Sequence, residues 1–185
     1  MAVLTLAGCS RPPLTQEAAA RVIRDAARFR EPGLIGVGRQ DAPSDCKTKL
    51  QDDANWRALA KVGWLEVHDE DDYERESGGH AAVKCAGGLS GDALRAGATL
   101  NTNTYDQWRV PAAVRELVSI KSITSSDGDL STVQFTYRWR FNAFAGQILQ
   151  PSAEMPGTAA LRFVAGSWQV TDFTVLPEFA PTRQP

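Results

Sequence analysis

The sequence predicts an α+β fold: helices in the amino-terminal part, then an antiparallel sheet, a meander, packed on a helix in the carboxyl-terminal part. Residues 14–30 repeat apolar side chains at helical spacing, and residues 133–141 alternate with a period of two. The segments flanking 133–141 are joined by short turn-forming stretches, as in an antiparallel meander.

Composition allows such a fold. Of 185 residues 43% are hydrophobic and 23% charged, which is ordinary globular usage. The length suits one domain. A net charge of −2 gives no electrostatic reason for nucleic-acid binding, which depends on neutralising phosphates.

The first helix is expected over Leu14 to Arg30, with Thr15 as its cap, Glu17 favourable in the first turn, and Ala18, Val22, Ala26 and Phe29 as its apolar stripe. Pro32 and Gly33 end it. The Gly-rich run that follows contains Leu34, Ile35 and Val37, which can pair at a sheet edge. Gly33, Gly36 and Gly38 lack the spacing and the strand-to-helix setting of a phosphate-cradling loop. A second helix is expected from Ala54 to Val62, capped by Asp53, turning Trp56, Leu59 and Ala60 inward and stopping at Gly63.

Trp64, Leu65 and Val67 lead into an acidic stretch from His68 to Glu76, with His80 to Cys85 as a returning strand. Helix, glycine and charged hairpin together resemble the end of a winged-helix unit. The wing would carry six carboxylates against Arg75, which repels phosphate. The acids are consecutive, without the alternation and central glycine of a calcium loop, and read as a solvated hairpin tip. Neither His68 nor His80 has a cysteine or histidine three or four residues away, so no zinc site is assigned.

In the carboxyl-terminal half, Val133, Phe135, Tyr137, Trp139 and Phe141 fall on one face of a strand, and Gln134, Thr136, Arg138 and Arg140 on the other. A partner strand is expected over Val114 to Thr124, joined through residues 125–128. Thr158 to Val164 and Trp168 to Val175 follow, joined by Ala165, Gly166 and Ser167. The aromatic face must be covered, and the first helix is the expected cover. This order of elements is similar to cystatin-like and nuclear-transport-factor-2-like α+β folds. The likeness extends over the last third and one helix, and such folds host many functions.

Leu6, Ala7, Gly8 and Cys9 resemble the lipobox of bacterial lipoproteins, in which apolar or small residues precede a cysteine whose thiolate forms a thioether to diacylglycerol. Ser10, Arg11, Pro12 and Pro13 follow as a polar, stiff leader. The resemblance implies lipidation at Cys9 and a place in the cell envelope, anchored to the membrane by lipid and facing the periplasm. Met1 to Leu6 are the stretch that leads to Ala7, Gly8 and Cys9, and none of them is charged, short of the basic and longer apolar stretch of a full export signal. Either the start lies upstream of Met1 or the match is accidental.

In that compartment Cys46 and Cys85 are candidates for a disulfide, and in a reducing one they would be buried thiols. The expected organisation is a partial signal peptide at 1–8, a tether at 9–13, a single α+β domain at 14–178 and a tail at 179–185. Within that domain a helix-and-hairpin subdomain can be set off over about 54–86.

No nucleophile stands beside a base in a recognisable setting, so no catalytic residue, metal or cofactor is assigned, and the chain is expected not to be an enzyme. The favoured expectation is an envelope domain that contacts or assembles with a protein partner. The alternatives are a periplasmic small-ligand binder, in which Arg138 and Arg140 would meet an anionic group, and a cytosolic winged-helix regulator. As alternating strand residues, the same arginines also read as solubilising the outer sheet face.

Overall fold

The computed structural model describes residues 12–38, 50–69, 85–100, 107–125 and 129–183. The elements are helices α1 (Gln16–Asp25) and α2 (Ala27–Arg30), strand β1 (Gly33–Gly38), helix α3 (Ala54–Lys61), strands β2 (Leu65–Asp69) and β3 (Cys85–Leu89), helix α4 (Gly91–Arg95), and strands β4 (Thr99–Leu100), β5 (Gln107–Ser125), β6 (Leu130–Phe141), β7 (Met155–Val164) and β8 (Ser167–Val175). One sheet has the order β1-β5-β6-β7-β8 with β4 also on β5, and β2 and β3 form a separate hairpin. The chain divides into two compact units, residues 1–31, 115–138 and 153–177 in the first, and 32–114, 139–152 and 178–185 in the second.

The first unit is built on the aromatic face of β6. Val133, Phe135 and Tyr137 are buried while Gln134 and Arg138 are exposed, as period-two alternation requires. Ala159 and Leu161 of β7 and Phe173 of β8 extend the same core. The helices cover it through Phe29, whose ring lies 6.0 Å from Phe135 and 6.1 Å from Tyr137, edge-on, and 6.3 Å from Phe173, stacked. Such aromatic contacts add to the burial of area, which is large for rings of this size.

The first helix is not continuous. Thr15 caps it, accepting from the Ala18 N–H at 3.1 Å, but Ala26 adopts an extended backbone (φ −66, ψ 131) and separates α1 from α2. The buried positions are Ala19, Ile23 and Phe29, and the expected stripe residues Ala18, Val22 and Ala26 are only half-buried. The break explains the shift. A continuous helix would carry the face of Ile23 on to Ala26, Ala27 and Arg30. Restarting after Ala26, whose carbonyl accepts from the Phe29 and Arg30 N–H groups, turns Phe29 inward instead.

The strands of this unit meet in close register. Gly157 pairs with Phe135, and a Cβ there would come within 2.3 Å of the Phe135 ring. The β7–β8 hairpin closes through Ala165 (φ 49) and Gly166 (φ 83), two left-handed residues as a type I′ turn demands.

In the second unit, β1 pairs with the first part of β5, from Gly38 opposite Gln107 to Gly33 opposite Ala113. The sequence expectation began this strand at Val114, where the apolar run starts; the strand in fact begins at Gln107 and passes through Pro111, a residue that weakens a central-strand signal. The register shift between Gly33 and Leu34 accommodates Pro111 at an irregularity, and Asn142 Nδ2 donates to its carbonyl at 2.7 Å. Asp53 caps α3 by accepting from the Asn55 and Trp56 N–H groups, and Gly63 follows at φ +72. Trp56 and Leu59 are buried as expected. Ala60 is exposed, and Asn55 and Ala58 take its place inside. Trp56 stacks on Trp108 at 5.8 Å and donates Nε1–H to the Gly38 carbonyl at 2.9 Å.

Three further expectations change. Helices and strands are not segregated along the chain: α3 and α4 lie mid-sequence, and β1 joins the sheet from its first part. The strand returning to β2 is Cys85–Leu89, with Asp69 opposite Cys85 and Leu65 opposite Leu89; its Gly87 and Gly88 gave no strand signal. The residues after 178, read as a tail, are packed in this unit. Phe179 lies 4.9 Å from Trp139 and 6.4 Å from Phe141, and the Gln150 N–H donates to the Thr182 carbonyl at 3.0 Å. A Cβ on Gly33 would collide with the Phe179 ring.

The Phe135 ring, itself in the core, cannot move aside for a methyl group on its neighbour. Gly157→Ala is therefore expected to lower stability by about 1–3 kcal/mol in urea denaturation. An unchanged midpoint would show that the ring is not held over this position.

Candidate functional site

The break at Ala26 and the last strand of the sheet enclose an open groove in the first unit, with a volume of about 480 Å³. Val22 and residues 25–28 form one wall, and residues 168–173 of β8 form the other. Its surfaces are mixed. Val22, Ala26, Val170 and the buried Phe173 supply apolar area, and Trp168, half-buried, lies edge-on to Phe163 at 5.5 Å. Gln169, Thr171 and Asp172 are exposed.

Charges beside the groove are matched. Arg28 Nη1 lies 3.5 Å from Asp172 Oδ1 and donates to the Phe173 carbonyl at 3.3 Å. Asp25 pairs with Arg30, whose Nε also donates to the Arg24 carbonyl at 3.1 Å. All four side chains are more than half exposed, so these pairs contribute little to stability. Of these four, Asp25, Arg28 and Asp172 line the groove, and Arg30 stands outside its lining.

Behind this wall, Arg115 of β5 holds the end of α2. Its Nη1 donates to the carbonyls of Arg28 at 2.9 Å and Glu31 at 3.3 Å, groups that a helix terminus leaves without an internal partner. The guanidinium carbon sits 6.0 Å from the centre of the Tyr137 ring, and the Tyr137 hydroxyl donates to the Pro177 carbonyl at 3.2 Å. Burial lowers the Arg115 pKa from its ordinary value, and the neighbouring Tyr137 opposes that shift. Burial likewise raises the Tyr137 pKa, with Arg115 acting against it.

The residues singled out in the sequence are placed elsewhere. Arg138 is exposed on the outer face of β6, its Nε 2.8 Å from Glu116 Oε2, and that hydrogen bond raises its pKa. Arg140 is exposed on the same strand. Neither lines the groove. Gly33, Gly36 and Gly38 lie in strand β1. Cys85 and His68 belong to the β2–β3 hairpin. Cys9, Cys46, His80 and the acidic residues from Glu70 to Glu76 lie outside the described residues.

Sequence reasoning missed Arg28, Arg115, Trp168 and Asp172 as a group. Only Arg115 left a signal, as a lone cation in the apolar run from Val114 to Val118. No protein-family profile, curated protein or solved structure matches the chain.

The Tyr137 shift has a pH consequence. The folded state favours the neutral phenol, so this contribution is complete below the ordinary value of 10.0 and is lost as pH rises through the raised value. Stability measured in urea from about pH 8 to about pH 11 is expected to fall more steeply for the unaltered chain than for Tyr137→Phe. Equal slopes would contradict the assignment.

Proposed function

We propose that this chain is a non-catalytic envelope lipoprotein, anchored through Cys9 and facing the periplasm, whose folded part works by contacting another envelope protein. The anchoring rests on Leu6-Ala7-Gly8-Cys9. Six residues, two of them prolines, separate Cys9 from the first helical residue, Gln16. Such a short, stiff leader would hold the fold close to a bilayer. No described helix is long and apolar enough to cross a membrane, and in this reading lipid supplies the attachment. More than one acyl chain is needed for lasting anchorage.

One observation carries the contact reading: the core of the first unit is filled by the rings of Phe29, Phe135, Tyr137 and Phe173, while the space beside β8 is an open groove on the surface. An enclosed apolar pocket with converging polar groups is the usual form of a small-ligand site. The pairing of Arg138 with Glu116 favours the solubilising reading of the outer sheet face over an anion site.

Labelling cells with a radioactive fatty acid while expressing the full-length gene product tests the anchor. Label is expected on the unaltered chain and lost in Cys9→Ala. Label that survives the substitution, or never appears, would overturn acylation at this thiol.

A further inference from the structure

Residues 178–183 are held in the second unit differently from the strands around them. They follow β8 without helical or strand conformation until the isolated bridge between Arg183 and Leu149. Glu178, Ala180, Thr182 and Arg183 are exposed, and Phe179 and Pro181 are half-buried. The Phe179 ring enters a slot made by Trp139 at 4.9 Å, Phe141 at 6.4 Å and the bare backbone of Gly33, where a Cβ would come within 2.5 Å of the ring. The backbone is fastened where the Gln150 N–H donates to the Thr182 carbonyl at 3.0 Å.

This fastening differs in kind from that of the sheet. To leave β5, strand β1 must give up a ladder that runs from Gly38 to Gly33, whereas residues 178–183 need only withdraw a ring and release a bridge. Segments with exposed flanks and little buried apolar contact open at lower free energy than the elements they lie on. We infer that residues 178–183 form a clasp, which opens and closes as one piece while the sheet of this unit stays folded, and which in opening uncovers Trp139 and Phe141.

The sequence of the segment explains why it moves as one piece. Pro177 and Pro181 fix their own φ and hold the residues before them, Leu176 and Ala180, in extended conformations. The open segment therefore has few conformations to lose when it closes again. The Tyr137 hydroxyl donates to the Pro177 carbonyl at 3.2 Å, which fixes the chain where the clasp begins.

Gly33 admits the ring because it has no side chain. A methyl group at that position would shut the slot while leaving Phe179 itself unaltered, so the slot and the ring can be removed separately.

Native-state hydrogen exchange of the full chain, followed by NMR in increasing urea below the unfolding transition, tests the clasp. The Gln150 amide reports on the clasp, and the Asn142 amide, which donates to the Ala112 carbonyl at 3.0 Å, reports on the sheet. After correction for intrinsic rates, Gln150 is expected to exchange at least about tenfold faster than Asn142. Its rate should also rise less steeply with urea, because local opening exposes little surface. Phe179→Ala and Gly33→Ala should each raise the Gln150 rate by about tenfold or more, the effect of losing the burial of one large apolar side chain, and leave the Asn142 rate where it was.

Equal urea dependence of the two amides in the unaltered chain would show that the segment opens only with the sheet, and would overturn the clasp. Variants that speed both amides alike would overturn it too. A Gln150 rate that neither variant changes would overturn the slot as its fastening.

Discussion

The structure depends on the need to bury the row of side chains on the inner face of β6. Within the first unit Val133, Phe135 and Tyr137 are almost fully buried, and within the second Trp139 is 6% exposed. Burying an aromatic side chain fully is worth roughly 1.5–3 kcal/mol each, more than the surface ion pairs contribute. The cover in the first unit is Phe29 on the short second helix; in the second it is Phe179, from a segment rich in prolines and polar residues.

Covering the first part of that row sets the shape of the groove wall. Phe29 cannot share the face of Ala19 and Ile23 in an unbroken helix, and the break at Ala26 resolves the conflict of phase. The break leaves a short helix with unpartnered carbonyls at its end, and Arg115 reaches them from β5. It also sets residues 25–28 opposite β8, with Arg28 reaching the Phe173 carbonyl. The groove thus follows from a packing requirement in the core.

Legibility in the sequence followed the physics of each signal. Alternation along residues 133–141 is set by a single local rule, and the structure follows it closely; the hairpin at Ala165 and Gly166 and the caps at Thr15 and Asp53 are equally local. The break at Ala26 was invisible, since alanine favours helix and the cause is the packing of Phe29 on Phe135, Tyr137 and Phe173, rings distant in the sequence. Pro111 concealed the first part of β5, and Gly87 and Gly88 concealed β3, because both residue types weaken a strand signal that tertiary pairing restores. Arg138 and Arg140 drew notice as charges on a strong strand, whereas Arg28 and Asp172 meet only after α2 and β8 come together.

The most direct measurement of the central constraint is the stability of Phe29→Ala by urea denaturation. Removing the ring that touches Phe135, Tyr137 and Phe173 should cost about 3–5 kcal/mol. A cost below about 1 kcal/mol, the range of an exposed position, would show that the buried face of β6 does not depend on this cover and would contradict the account.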